Sequence, residues 1–228
     1  MANATLFFDL DKTLCHPRTP FLPIFFASCA PLLESTSIDA SILLQAWAEA
    51  LEEPGHSTTA GCLTRALTAC GAPALEPLIA SCARSLVATW AAAQELAPGV
   101  VATLAYLAPR HPLGIITNGP GDSQHAVITA LHLDSIFRWR IVSGDATVGI
   151  RKPAKGIFER ALALSASLPE NTWYIGDSQI NDIAGAAGVG WRTCWISAPD
   201  ERLAAGLPEP DARIVRFDEL PQVIGRYE

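Results

Sequence analysis

From about Pro98 onward the chain alternates short apolar runs with segments of helical spacing, and few folds satisfy that pattern. Leu113–Thr117 (LGIIT), Arg140–Ser143 (RIVS), Trp173–Ile175 (WYI), Arg192–Ile196 (RTCWI) and Arg213–Phe217 (RIVRF) read as strands. Between them, Asp122 is placed to cap a helix carrying Val127, Ile128 and Leu131, and a second helix aligns Ile157, Phe158, Ala161 and Leu162. Strands that are apolar almost throughout must be covered on both faces, which a parallel sheet between helical layers provides.

One further strand, Thr5–Leu10 (TLFFDL), stands apart from this series. The stretch between, from about Phe21 to Glu95, is rich in Ala and Leu and poor in β-type runs. Ile38–Glu53, Thr58–Cys70 and Ala74–Gln94 suit helices, with breaks at Pro54-Gly55 and Gly71-Ala72-Pro73. The expected fold is a Rossmann-like three-layer α/β/α domain formed by residues 1–19 and 96–228, with an all-helical cap domain at 20–95. Ligands of open α/β sheets bind outside the carboxyl ends of the strands, so such a cap would roof the site.

The chain has 228 residues, half of them hydrophobic and 17% charged, so it can bury a core. Its net charge is -7 and it has no Lys/Arg run, which leaves no footprint for a nucleic-acid polymer or an anionic membrane. Cys15, Cys29, Cys62, Cys70, Cys82 and Cys194 form no C-x-x-C pair and read as small buried apolar residues. MANATLFFDLDKT lacks a basic start and its apolar run is broken by Asp9, so it does not read as a signal peptide. Phe21–Leu33 is apolar but too short for a membrane span, and it carries Pro23 and Pro31. The expectation is a soluble cytoplasmic protein, monomer or homodimer, that meets a small-molecule partner.

Four short motifs fall at the expected strand ends. In Asp9-Leu10-Asp11-Lys12-Thr13, alternation along an extended chain puts Asp9 and Asp11 on one side. Two close carboxylates repel unless a cation shares them, and Mg²⁺ suits oxygen ligands of this kind. Asp9 is then the candidate nucleophile toward phosphorus, and Asp11 the group that protonates the leaving oxygen and later activates water. Thr117-Asn118-Gly119 offers a hydroxyl and backbone N–H groups as an anion cradle. Lys152-Pro153 supplies a fixed positive charge. In Gly176-Asp177-Ser178-Gln179-Ile180-Asn181-Asp182, Asp177 would reach the metal and Asp182 would orient Lys152 or metal-bound water.

DLDKT, ITNG, RKP and GDSQIND, in that order, resemble the haloacid dehalogenase superfamily, and the likeness covers most of the chain. GIITNG, GDSQINDIAGAAGVG and TCWIS are similar to the subgroup with a helical cap after the first motif. The resemblance implies a phosphatase, nucleotidase-like branch, with Asp9 as nucleophile, Asp11 as acid/base, and Thr117 and Lys152 on the phosphate. It implies Mg²⁺ held by Asp9, the backbone carbonyl of Asp11, and Asp177. Lys12 stands where many members carry Gly.

Competing chemistries separate on the same residues. A dehalogenase of the superfamily needs neither Mg²⁺ nor a second Asp two residues on, so Asp11 argues against it. Phosphonate cleavage uses a cap Lys, and the stretch from Phe21 to Glu95 contains no Lys. A phosphosugar mutase and a non-catalytic phosphate-binding regulator remain as alternatives to hydrolysis of a nucleoside monophosphate or sugar phosphate. His16 and Arg18 lie in a Pro-bounded segment that either closes over substrate or forms a surface loop. Trp47 and Trp90 either stack on a substrate ring or fill the cap core, the core being favoured. His111, His125 and His132 read as surface or capping residues, and nothing near Cys15 in the sequence activates its thiol.

Overall fold

The computed structural model describes residues 4–227; the leader reading of Met1–Asn3, and residue 228 of the expected core, lie outside them. Six parallel strands form one sheet in the order β5-β4-β1-β6-β7-β8. They are β1 (Thr5–Phe8), β4 (Leu113–Thr117), β5 (Trp139–Val142), β6 (Thr172–Gly176), β7 (Arg192–Ile196) and β8 (Ala212–Ile214). β1, β4 and β6 are buried along their whole length, as their unbroken apolar runs require. Helices α5 (Val100–Leu107), α6 (Gly121–Ala130), α7 (Lys155–Ser165), the short α8 (Gly185–Ala187) and α9 (Leu220–Gly225) complete the α/β domain. One core gathers Leu6, Phe8, Ile115, Trp173 and Ile175, and another on the opposite face gathers Phe7, Ile116, Phe158 and Trp191.

β1 is the central strand. The chain builds β4 and β5 on one side of it, then crosses back to build β6 to β8 on the other. The carboxyl end of β1 is therefore the topological switch point, where the loops diverge and leave a crevice.

Helices α1 (Phe21–Thr36), α2 (Ala40–Glu52), α3 (Thr59–Ala69) and α4 (Glu76–Ala92) follow β1, entered and left through a two-stranded ribbon of β2 (Cys15–Pro17) and β3 (Gln94–Leu96). They bury a separate core of Phe25, Leu32, Leu43, Trp47, Leu63 and Leu86, among others. The sequence suggested three helices here; α1 is the fourth. It tolerates Pro31 in its interior because Ile24, Phe25, Cys29 and Leu32 bury one face, and that burial outweighs a proline penalty of about 3 kcal/mol. Among the described residues no single helix is long and apolar enough to cross a membrane. α1 and α2 pass only as a pair, bent by 114°.

The helical block is tied to the α/β domain through residues 55–59. Gly55 N–H donates to Gly149 O, Ser57 N–H to Gly144 O, and Gly121 N–H to Ser57 O. Asp122, expected to cap its own helix, instead receives the N–H of Thr59 at 2.8 Å from the start of α3, while Pro120 holds the N-cap position of α6. Gly144 permits this approach: a Cβ there would lie 2.7 Å from Ser57 Oγ.

Candidate active site

Asp9 follows the last residue of β1, and its N–H donates to Ile175 O at 2.9 Å. Thr117 closes β4, Asp177 follows β6, and Lys152 lies in the loop between β5 and α7. Four separate stretches of sequence thus meet at the switch point. Strand alternation is not what aligns the first two acids, because β1 ends at Phe8. The chain turns instead: Leu14 and Cys15 N–H both donate to Leu10 O, and Lys12 takes a left-handed φ of 62°. Glycine would adopt that conformation without steric cost, whereas Lys12 adopts it as an L side chain. Leu10, between the two acids, is fully buried.

Lys152 is the hub. Its ammonium donates to Asp9 Oδ1 at 2.7 Å, Asp182 Oδ1 at 2.7 Å and the Tyr174 phenol oxygen at 2.8 Å. Burial alone would lower its pKa, but the Asp182 and Asp9 carboxylates outweigh that and hold it above the ordinary lysine value. Asn118 fixes the backbone of Lys152 from both sides, its Nδ2 donating to Lys152 O at 3.0 Å and its Oδ1 accepting from Lys152 N–H at 2.9 Å. Gly119 N–H, expected in the anion cradle, donates to Ser143 Oγ at 3.0 Å and is engaged there. Asp182 reaches back beneath the strand end, where a side chain at Gly176 would collide with it.

Asp11 and Thr117 are joined by a residue the sequence reading did not single out. Gln124 Nε2 donates to Asp11 Oδ2 at 2.8 Å and to Thr117 Oγ1 at 2.7 Å. The Thr117 hydroxyl, accepting from Gln124, keeps its own hydrogen to donate. Tyr174 was also missed, although a phenol in a fully apolar strand is a signal in itself, since its hydroxyl must find a partner. Trp195 Nε1 donates to Asp177 O at 2.9 Å, so the tryptophan of TCWIS holds the acid of the GDSQIND motif in place.

The carboxylates outnumber the one buried positive charge, Lys152. Asp9, Asp177 and Asp182 each offer an oxygen, all within 4.8 Å of one another. Burial, only partly offset by Lys152, pushes Asp9 well above the ordinary carboxylate range. Burial also raises Asp11 against the opposing Gln124 hydrogen bond, and burial with the Asp182 charge pushes Asp177 up to about 6. Both oxygens of Asp182 are engaged, Oδ1 with Lys152 and Oδ2 with Ser178 N–H at 2.9 Å. Asp9 and Asp177 are therefore the carboxylates available to a hard cation, and an oxygen-only set short of charge fits Mg²⁺.

His16 and Arg18 pair with Glu95 at 3.1 Å each on the β2–β3 ribbon, and of this segment only Pro17 lines a cavity at the site. His111 is buried rather than surface-exposed. His125 pairs with Asp145 at 3.0 Å.

Residues 4–190 match the haloacid dehalogenase-like hydrolase family. Pyrimidine 5'-nucleotidase YjjG of Escherichia coli is 30% identical over 132 residues, 57% of this chain and 57% of that protein. Glyceraldehyde 3-phosphate phosphatase of Pyrococcus furiosus is 36% identical over 100 residues, 43% of this chain and 41% of that protein. The chain thus spans about half the length of these curated relatives. A 2-haloacid dehalogenase structure from Pseudomonas syringae superposes with a TM-score of 0.78, 26% identity and full coverage of both chains. The motifs, the parallel sheet with its inserted helices and the family match agree: the chain belongs to the haloacid dehalogenase-like hydrolases.

Proposed function

We propose that this protein is a Mg²⁺-dependent phosphomonoester hydrolase that acts on a small phosphorylated metabolite, a nucleoside monophosphate or a sugar phosphate, through an aspartyl-phosphate on Asp9. The observation that carries the reading is a pair of acids each held by its own partner. Asp9 is locked through Oδ1 to Lys152, with Oδ2 left to attack, while Asp11 is fixed beside it by Gln124. Names among the relatives support it, since one is a nucleotidase and another a sugar-phosphate phosphatase.

Asp9 Oδ2 attacks phosphorus in line with the leaving oxygen, and Asp11 delivers a proton to that oxygen as the ester bond breaks. The Thr117 hydroxyl and the Lys152 ammonium bind phosphoryl oxygens and stabilise the charge that develops on them. Asp182 and Tyr174 keep Lys152 in position. Water then attacks phosphorus, Asp11 takes its proton, and phosphate leaves with Asp9 regenerated. Mg²⁺, held by Asp9, Asp177 and the backbone carbonyl of Asp11, would neutralise the phosphoryl group and the paired acids. The helical block, residues 20–95, acts as the cap that excludes water from this chemistry.

Haloacid hydrolysis is the second reading, favoured by the likeness to the Pseudomonas dehalogenase. Asp11 and the charge-poor acidic cluster weigh against it, because displacement of halide needs no proton donor for its leaving group. The test is phosphate release from nucleoside monophosphates, sugar phosphates, phosphoglycolate and an aryl phosphate, with Mg²⁺ and with EDTA, beside halide release from a 2-haloacid. Mg²⁺-dependent phosphate release supports the proposal. Halide release without phosphate release rejects it.

A further inference from the structure

Two cavities meet at Asp11. One, of about 540 Å³, holds the polar groups Asp9, Thr117, Lys152 and Asp177. The other, of about 640 Å³, lies between the helical block and the α/β domain and shares Asp11, Lys12, Asn118 and Asn181 with the first. Asp11, the proposed proton donor to the leaving oxygen, lines both cavities, so the leaving alcohol of a phosphoryl group seated in the first has the second open to it. Its size is in the range of small-molecule sites.

The helical-block side of this second chamber is aromatic and aliphatic, while polar groups such as Thr59 and Ser123 also line it. Phe21, Trp47 and Trp90 line it together with Leu51 and Leu86. The rings form a continuous series. Trp90 meets Phe21 edge-on at 5.2 Å, Phe21 meets Phe25 at 5.6 Å, and Phe25 meets Trp47 at 5.6 Å. Packing in the helical core holds these side chains in place before any ligand arrives, so little ordering cost is left for binding. The Trp47 indole Nε1 is buried with no hydrogen-bond partner among the described residues.

Charge on the chamber points the same way. Arg151 and Glu52 both line it, and they neutralise each other at 3.0 Å. Away from the shared mouth, the lining therefore presents no unpaired cation to a second phosphate or a carboxylate. A sugar's hydroxyls could pair with Thr59 and Ser123 on the α/β side, but against the indole and phenyl faces opposite they would lose water without a partner. A flat ring would stack on them.

We infer that the leaving-group chamber takes an alcohol bearing a planar aromatic ring, with Phe21 and Trp90 as the surface that selects it and the buried Trp47 as their backing. The inference rests on the hydrolase reading and narrows its substrate class; it sets a nucleoside monophosphate above sugar phosphates, phosphoserine or phosphoglycolate.

Matched esters test it. Uridine and adenosine 5'-monophosphates differ from ribose 5-phosphate chiefly by the base, with the same primary leaving oxygen. The wild-type protein with Mg²⁺ should show kcat/KM higher for one or both nucleotides than for ribose 5-phosphate by about tenfold or more, the size of one stacked base. Trp90→Ala should collapse that ratio, and Trp90→Phe, which keeps a ring, should retain much of it. In Asp9→Asn protein, tryptophan fluorescence should respond to nucleotide at lower concentration than to ribose 5-phosphate. Equal or faster hydrolysis of ribose 5-phosphate overturns the ring assignment and leaves the hydrolase reading standing. Hydrolysis of none of the esters overturns both.

Discussion

The Lys152 ammonium donates to the Tyr174 phenol oxygen at 2.8 Å, and that phenol donates onward to Ile116 O at 2.7 Å. Tyr174 of β6 thus ties Lys152 to the backbone of β4, two strands away across β1, and burial holds its pKa well above the ordinary value, so it stays a neutral donor. Tyr174→Phe leaves a buried carbonyl unpaired and Lys152 one acceptor short. The expected loss is about 1–3 kcal/mol in denaturant unfolding, with a lower kcat. Unchanged stability would show that the phenol bridge contributes nothing.

Removing the lysine should cost more. Lys152→Met leaves Asp9 and Asp182 buried without their counter-charge. Breaking a buried pair from one side costs about 3–5 kcal/mol. Thermal unfolding should drop accordingly, and added Mg²⁺ should recover part of it by supplying positive charge to the same carboxylates. A melting temperature equal to the wild type would contradict the charge balance described for this cluster.

Gln124 should act through Asp11. Gln124→Leu keeps the bulk and removes the donor that links Asp11 to Thr117. Hydrolysis of an alkyl ester, which needs its leaving oxygen protonated, should slow by about tenfold or more, and an aryl ester far less. Equal losses on both would rule out a role in positioning the acid.

The thiols should be quiet. Burial pushes Cys15 far above the ordinary thiol range and Cys29 and Cys194 up to about 12, and it raises Cys62 and Cys82. Cys70 is the one cysteine that is not buried. A thiol reagent at mildly alkaline pH should modify Cys70 in the native protein, and the other five only on unfolding. Rapid native labelling of Cys15 would mean that the first-motif turn opens readily.

Much of this was legible in sequence because apolar period and motif position are local signals. Leu113–Thr117 and Arg192–Ile196 coincide with β4 and β7. Lys152 and Asp182 meet, the contact that one of the two roles read for Asp182 calls for. Other features depend on partners far along the chain. Asp122 has the composition of a helix cap, yet its carboxylate serves Thr59, a residue of another layer. Gln124 is an ordinary helix residue until the fold brings Asp11 beside it. The Arg213–Phe217 run shortens to Ala212–Ile214, because the chain then turns into the 3₁₀ segment Phe217–Glu219. α1 was hidden by its prolines, whose cost is offset only by packing that no local window contains.

Turnover by Asp9→Asn protein tests the central claim most directly. The amide is a poor nucleophile of nearly the same shape, and Lys152 keeps its partner Asp182, so the fold should persist. With Mg²⁺ and a phosphomonoester that the wild type hydrolyses, the account predicts a folded protein with no measurable phosphate release. Hydrolysis by that variant at a substantial fraction of the wild-type rate would contradict a covalent route through Asp9.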